Sequence, residues 1–171
     1  MMTKFEPVLS KSKLVLQVNT SLYPVLRWTD ELEVSFEAEV NEAGQVNLSA
    51  AYSGKLNIYV EKLKSNDQFI DRVVERRLDI QRYPLIRTQL VSLSEQEPNT
   101  YQAVGSVTFH GVTQQITGLM QIRPVDDKHL SIAGEVTIDV RNFNIEPPVM
   151  MAFKSDPMIT MTLVLVLKRP D

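Results

Sequence analysis

Hydrophobic and polar residues alternate along most of this chain, and the pattern is clearest between Tyr101 and Ile122. Before His110-Gly111 the apolar side chains occupy mainly odd positions, and after it they occupy mainly even positions. Alternation with a period of two predicts a β-strand with one buried and one solvated face. The glycine between the two runs predicts a tight reversal, so we expect a β-hairpin whose arms turn apolar side chains towards a common interior.

The same alternation predicts seven further strands, joined by short turns such as Asn41–Gly44. Their approximate ranges are 14–18, 32–40, 46–50, 54–62, 85–93, 130–140 and 157–168. Eight or nine strands with short connections favour an antiparallel sandwich or a closed barrel. Because no repeat, low-complexity tract or linker interrupts the chain, we predict one domain spanning residues 1–171.

One segment has helical instead of strand periodicity. Ser65 and Gln68 have the spacing of a capping box, which predicts the start of an amphipathic helix at about residues 66–78. The residues of its predicted inner face are Phe69, Ile70, Val73, Val74 and Arg77. Tyr83-Pro84 then requires an extended chain. In an otherwise β chain, such a helix either plugs the core as a crossover or lies over a cavity as a mobile lid.

Composition and charge exclude several classes of protein. The hydrophobic fraction of 43% indicates a folded chain, and the net charge of −3 argues against nucleic acid as a partner. The absence of cysteine rules out disulfides and thiolate metal sites. No stretch approaches the roughly 20 apolar residues needed to span a bilayer. Residues 1–18 lack the sustained apolar core of a secretory signal, so we predict a cytoplasmic protein.

No group of residues in the sequence has the spacing of a catalytic or metal site. His110 and His129 are the only histidines, and neither has a second ligand nearby in the sequence. Asp126-Asp127 is typical of a solvated turn, and no G-x-S-x-G nucleophile motif is present. We therefore predict no catalytic residue, no metal, no cofactor and no enzymatic activity.

A run of arginines surrounds the predicted helix and the strand after it, namely Arg72, Arg76, Arg77, Arg82 and Arg87. Such a run usually forms a solvated surface with salt-bridge partners. The alternative is that some of its members hold a diphosphate or another anionic head group at a cavity mouth, through bidentate hydrogen bonds. The candidates for that role are Arg76, Arg77 and Arg82.

The inward positions of the predicted strands mix bulky and small residues. The bulky candidates for lining a ligand cavity are Val34, Phe36, Leu56, Ile58, Val107, Phe109, Ile116, Met120, Ile132, Val136 and Met161. The small residues in the same phases are Ala38, Gly54, Ala103, Gly105, Gly118 and Gly134. An eight-stranded barrel is near the size at which side chains either fill the interior or leave room for one small ligand. The glycines are therefore compatible with an open channel, and equally with strand curvature around a packed interior.

Three tracts resemble the signatures of the YceI-like family. Gly105–Thr113 is similar to the family tract G-x-L-T-x-H-G-V-T, and Leu78–Ile86 is similar to the tract in which Tyr-Pro precedes a strand. Gly134–Ile138, followed by Asn142–Ile145, resembles the last signature. The N-terminal signature has no counterpart in Ser10–Lys13, so the chain resembles a divergent member.

Two further departures lie in the third tract. Val140 stands where the family has an arginine, with Arg141 one place later. Asn144 replaces the glycine that usually follows Phe143, but asparagine also tolerates a left-handed backbone. We therefore expect this substitution to preserve the turn.

The resemblance implies an all-β fold, an eight-stranded antiparallel lipocalin-like barrel with one amphipathic α-helix. It also implies non-enzymatic binding or carriage of a lipophilic small molecule, such as a polyisoprenoid or an isoprenoid quinone. The alternative is a barrel filled by its own side chains, which acts as a structural or protein-interaction module and docks through apolar outer strands.

The final strand predicts a self-association surface. Its sequence between Met161 and Leu167 is apolar on both faces, so Val164 and Val166 point away from the interior, as Val15 does in the first predicted strand. Burial of both faces requires a cover, which is either the helix or a second copy of the chain. We predict a homodimer.

Overall fold

The computed structural model describes residues 2–147, 149–150 and 153–170. Within them, short 3-10 turns at Leu9–Lys11, Val60–Lys62 and Val140–Phe143 interrupt a chain made almost wholly of strands. The strands and the helix are β1 (Met2–Pro7), β2 (Lys13–Thr20), β3 (Val25–Thr29), β4 (Glu33–Val40), β5 (Val46–Tyr59), α1 (Gln68–Arg77), β6 (Leu85–Glu97), β7 (Thr100–Phe109), β8 (Val112–Pro124), β9 (His129–Asp139), β10 (Val149–Met150) and β11 (Phe153–Lys168).

Eight of the strands form a closed antiparallel barrel in the order β1, β4, β5, β6, β7, β8, β9, β11. Pairing of β1 with β11 at Glu6–Lys168 and Pro7–Leu167 closes the ring. Beyond the turn at Leu9–Lys11, β2 continues along the same edge of β11 and carries β3 on its other side. The predicted eight-stranded antiparallel barrel is confirmed, and α1 is the one α-helix of the described residues.

The predicted hairpin is confirmed as β7 and β8, which pair from Thr100–Gln121 to Phe109–Val112. His110 and Gly111 form the turn, and both have positive φ angles, 55° and 77°. Two consecutive left-handed residues characterise the turn whose twist matches that of a β-hairpin. Glycine adopts this conformation without steric cost, which explains why the reversal occurs here.

Several strand boundaries differ from the prediction. The predicted strands at 46–50 and 54–62 are one strand, β5, followed by the turn at Val60–Lys62. The alternation is interrupted because the pairing with β4 jumps from Ala38–Tyr52 to Glu39–Asn47, which leaves extra residues on β5. The short strands β1 and β3 were not predicted. In β1 only Phe5 is buried, so its sequence has too little alternation to identify it.

The helix is shorter than predicted, and its N-cap is a different residue. Asp67, and not Ser65, caps α1, because its Oδ1 accepts from the backbone N–H groups of Phe69 (2.9 Å) and Ile70 (3.2 Å). An aspartate directly before the first turn is a favoured N-cap. The assignment of Phe69 to the inner face is wrong, because its side chain is 66% exposed. It lies more than a quarter turn away from Ile70 and Val74, the residues that face inwards.

The two ends of the barrel have different interiors. At the end where β5 and β9 begin, called the packed end below, side chains form a dense cluster that includes Phe5, Ala38, Leu48, Leu130 and Leu167. The opposite end, called the helix end, is where β5 stops and α1 leads to β6. A smaller cluster of Val107, Phe143 and Ile145 lies at the helix end, with half-buried apolar neighbours. Members of both clusters line the cavity, among them Phe36 of the first and Phe143 of the second.

Candidate ligand cavity

A cavity of about 330 Å³ lies inside the barrel, and its wall is almost entirely apolar. Alternation along the strands creates the wall, because every second side chain of a barrel strand points inwards. The structure brings together all of the bulky residues that were predicted to line a cavity. They are Val34, Phe36, Leu56, Ile58, Val107, Phe109, Ile116, Met120, Ile132, Val136 and Met161.

The small inward residues contribute to the wall in two different ways. At Gly134 an added Cβ atom would lie 3.1 Å from Met120 Cγ, so the methionine side chain occupies the space over this glycine. At Gly105 the nearest atom, Thr88 Cγ2, would be 3.6 Å away, which is ordinary contact distance. Ala38 does not line the cavity and is fully buried in the packed cluster. Gly134 therefore allows close packing of Met120, whereas Gly105 leaves open space in the cavity.

The helix forms part of the cavity wall. Ile70 and Val74 of α1 and the C-cap residue Leu78 follow one another at a spacing of four residues and line the cavity. Leu63, in the segment before the helix, also lines it. The strand β2 contributes Leu14, Leu16 and Val18, whose alternation was recognised as a strand but not as part of the site. These three apolar residues occupy alternate positions of the strand, and that regular spacing was the signal that could have identified them as cavity-lining residues.

The three tracts that resemble family signatures meet at the helix end. The ring of Tyr83 packs against His110, with ring centroids 4.5 Å apart, so the Tyr-Pro tract supports the hairpin turn. Gln114 Nε2 donates a hydrogen bond of 3.0 Å to the backbone carbonyl of Asn142 in the third tract. Asn144 has the expected left-handed backbone, with φ of 57°. These contacts hold the segment from Val140 across the end of the barrel.

A buried arginine interrupts the apolar wall where β3 approaches α1. Arg27 is only 5% exposed, it lines the cavity, and its Nη2 donates a hydrogen bond of 2.7 Å to the Leu63 carbonyl. Its Nε lies 3.6 Å from Asp71 Oδ1, close enough for an ion pair but too far for a good hydrogen bond. Sequence reasoning missed this residue, because a charged side chain between Leu26 and Trp28 looks like the solvated phase of a strand.

Asp71 uses its acceptor capacity elsewhere. Its Oδ1 accepts from the Ser65 hydroxyl at 2.9 Å and from the Ser65 backbone N–H at 3.0 Å. Burial has the largest effect on the pKa of Arg27. It lowers the pKa of Arg27, an effect that the nearby carboxylates of Asp71 and Glu75 offset only in part. The guanidinium remains charged at physiological pH in any case.

The three arginines predicted to bind an anionic head group lie outside the cavity wall. Arg76 and Arg77 are at the exposed C-terminal end of α1, and Arg82 is also exposed, with its guanidinium 5.3 Å from the centre of the Tyr83 ring. The structure thus places them on the surface of the helix end. Their role in ligand binding stays a prediction.

Asp126 and His129 form a local contact at the surface. His129 Nδ1 lies 2.8 Å from Asp126 Oδ1, and the backbone N–H of Lys128 and the imidazole of His129 together lower the pKa of Asp126. Among the described residues, no group of three or more histidine, aspartate or glutamate side chains has the geometry to hold a metal ion. None of the described helices has the length and apolar character required to cross a membrane.

Three solved structures are similar to this chain over most of its length. BcnA of Burkholderia cenocepacia has a TM-score of 0.78 and 16% identity, and the match covers 94% of this chain and 99% of that one. A polyisoprenoid binding domain from Saccharophagus degradans, implicated in plant cell wall breakdown, has a TM-score of 0.71 and 11% identity, covering 99% and 100%. A YceI protein of Campylobacter jejuni has a TM-score of 0.60 and 13% identity, covering 81% and 82%.

At identities of 11–16%, these structural similarities show a shared fold and no more. A comparison with curated proteins gave no match. The sequence model of the YceI-like domain, in contrast, matches residues 16–167, which leaves out β1 but includes nearly all of the other seven barrel strands. The resemblance that the three tracts indicated is thereby confirmed, and the chain belongs to the YceI-like domain family.

Proposed function

We propose that this protein binds a lipophilic small molecule inside its barrel, without acting on it as an enzyme. The observation that carries the proposal is the apolar cavity of about 330 Å³, which lies within the size range typical of small-molecule sites. One of the similar structures is named as a polyisoprenoid binding domain, which supports a long apolar ligand of that class.

The wall can supply binding energy without many polar contacts. Burial of apolar surface contributes about 25 cal/mol per Å², or about 0.8 kcal/mol for each methylene group. Strands from every side of the barrel contribute aliphatic side chains to the wall, and Met120 and Met161 add flexible ones that adapt to an irregular chain. A hydrocarbon tail in the cavity is therefore favoured mainly by the hydrophobic effect.

The cavity argues against the alternative of a barrel filled by its own side chains. The packed cluster that includes Phe5 and Leu167 fills one end, but the wall between Val136, Met161 and the helix encloses free space. A protein-interaction module has no need for such space. Val164 is 41% exposed on the outer face of β11, where a second copy of the chain could cover it, and the homodimer stays a prediction. The cytoplasmic location also stays a prediction.

Extraction of the purified protein with organic solvent, followed by mass spectrometry, tests the proposal directly. We expect a bound lipophile in the extract, or binding of the fluorescent probe N-phenyl-1-naphthylamine by the delipidated protein. Failure of both measurements on folded protein would contradict the proposal. Substrate turnover that consumes the extracted molecule would contradict its non-enzymatic part.

A matched pair of variants locates the binding inside the barrel. Gly105→Leu places a bulky side chain in the cavity at the glycine with the most open surroundings, and we expect it to weaken probe binding at least about tenfold, since it fills space that the probe needs. Gln102→Leu adds a leucine to the exposed face of the same strand and should leave binding unchanged. Equal effects of both variants would place the probe on the outer surface.

A further inference from the structure

We propose that Arg27 binds the polar end of the ligand, and that this end is an uncharged oxygen acceptor such as an amide, alcohol or quinone carbonyl. The inference rests on the proposed function and specifies the class of ligand. It is carried by the position of Arg27, whose guanidinium is the one buried charged group among the described residues that line a mostly apolar cavity.

The guanidinium has donors to spare. Arginine carries five N–H groups, of which one donates to the Leu63 carbonyl. Arg27 Nε is buried and has no hydrogen-bond acceptor among the described residues, because Asp71 Oδ1 is 3.6 Å away and accepts from Ser65 instead. A buried donor without an acceptor is unfavourable, so a ligand oxygen that reaches this guanidinium replaces a missing interaction.

The surroundings of Arg27 select against a charged head group. Asp71 lies beside the guanidinium, and Glu75 on the next turn of α1 forms an ion pair of 2.6 Å with Lys64. The four side chains carry two positive and two negative charges, so their sum is zero. A carboxylate or diphosphate would add an uncompensated negative charge next to Asp71, away from bulk water. An uncharged oxygen accepts the same hydrogen bond without that repulsion.

The position of Arg27 also orients the ligand. Arg27 contacts the segment around Leu63 and the helix residue Asp71, both of which belong to the helix end. The packed end is closed by apolar side chains such as Phe5 and Leu167. A ligand therefore places its oxygen near the helix and extends its hydrocarbon chain along the barrel towards the packed end.

A head-group series on the full chain tests the inference. The delipidated protein is loaded with N-phenyl-1-naphthylamine, which is then displaced by dodecane, dodecan-1-ol, dodecanamide or dodecanoate at mildly alkaline pH, where dodecanoate is ionised. These ligands share one tail length and differ only at the end. We expect dodecan-1-ol and dodecanamide to bind about 10- to 100-fold more tightly than dodecane, as for a hydrogen bond to a charged donor. Dodecanoate should bind more weakly than dodecanamide.

The variant Arg27→Met keeps the length of the side chain and removes its donors. We expect it to lose the preference for dodecanamide over dodecane. Because Arg27→Met leaves the Asp71 carboxylate without its partner, the double variant R27M/D71N is a second test. It removes both charges, while an amide oxygen still accepts from Ser65. Circular dichroism confirms that each variant is folded.

The possible outcomes separate this inference from the proposed function. If the natural chain binds all of the ligands equally, if it prefers dodecanoate, or if the preference for dodecanamide survives in both variants, the role of Arg27 is overturned although lipophile binding stands. If none of the ligands displaces the probe and no probe binds, the proposed function itself fails.

Discussion

The packed end and the helix end of the barrel share the same long strands but have different interiors. At the packed end, aromatic and aliphatic side chains such as Phe5, Ala38 and Leu130 are almost fully buried and do not line the cavity. At the helix end, the cavity wall consists of aliphatic side chains from the strands, the buried guanidinium of Arg27, and Ile70 and Val74 of α1. The comparison shows that alternation decides which side chains face inwards, while their size and polarity decide whether they fill the interior.

The two ends also differ in the forces that hold them together. The packed end relies on contacts between apolar side chains, including an edge-to-face pair of Phe5 and Phe36 with ring centroids 5.8 Å apart. The helix end relies partly on polar contacts, which join α1 to β3 through Asp71, Ser65 and Arg27. Substitutions at the two ends should therefore have distinguishable effects on stability and on ligand binding.

The largest loss of stability is expected at the helix end, from Asp71→Ala. This substitution leaves the buried guanidinium of Arg27 without its carboxylate, which typically costs about 3–5 kcal/mol of the free energy of unfolding. Urea unfolding of the natural and variant chains measures the difference. The control is Lys64→Ala, which removes the exposed ion pair with Glu75 and should cost less than about 1 kcal/mol. Similar losses in the two variants would show that the buried pair does not hold the helix.

A comparable loss is expected at the packed end, from Leu167→Ala. Leu167 is fully buried on β11, and removal of three carbon atoms from a close-packed core leaves a void that costs about 2–5 kcal/mol. Val164→Ala, on the outer face of the same strand, should change stability by about 0.5 kcal/mol or less. Leu130→Ala, at a buried residue of the same cluster that does not line the cavity, should leave the affinity for N-phenyl-1-naphthylamine unchanged at temperatures where the variant is folded. A large change in affinity would indicate that the two ends are coupled.

The sequence predicted the barrel well because its strands carry a strong local signal. In β4, β7 and β8 the period of two continues for eight residues or more, and the turn at His110-Gly111 leaves little choice of register. The same phase identified the bulky cavity-lining residues on these strands and on β5, β9 and β11. The alternation of apolar and polar residues alone shows which face of a strand is buried, so these residues could be predicted without knowledge of distant contacts.

The parts that could not be predicted depend on contacts between distant segments. Arg27 can be buried because it contacts the Leu63 carbonyl and Asp71, which lie more than 30 residues away in the sequence. The residues around Arg27 in the sequence give no indication of these partners. The division into two ends depends similarly on which side chain lies over each glycine. Met120 covers Gly134, whereas Gly105 has no such neighbour, and the sequence around the two glycines does not reveal the difference.

A matched pair of glycine substitutions examines the boundary between packed and open interior. In Gly134→Ala the new methyl group would lie 3.1 Å from both Met120 Cγ and the backbone oxygen of Leu119, so Met120 must move. We expect a loss of about 1–3 kcal/mol, as for overpacked sites. In Gly105→Ala the nearest atom is 3.6 Å away, so stability should not fall and should rise by no more than about 1 kcal/mol. Thermal and urea unfolding measure both, and equal losses would contradict the distinction between the two glycines.

The smallest effect concerns a polar group at the margin of the packed cluster. Burial, together with the hydrogen bond to Glu95 and its negative charge, raises the pKa of the Tyr101 phenol from 10.0 to about 12. Since the protonated phenol is favoured in the folded state, its contribution is complete below pH 10 and is lost as the pH rises towards 12. Solvent screening limits the loss to about 1 kcal/mol.

The variant Tyr101→Phe provides the comparison, because it keeps the ring and removes the ionisable hydroxyl. Urea unfolding at several alkaline pH values should show that the free energy of unfolding of the natural chain falls more steeply between pH 10 and 12 than that of the variant. Titrations of other tyrosines and lysines affect both chains equally and cancel in the difference. Parallel curves would mean that the Tyr101 hydroxyl is as well solvated in the folded chain as in the unfolded one, and that the hydrogen bond to Glu95 adds nothing to the stability of the packed end.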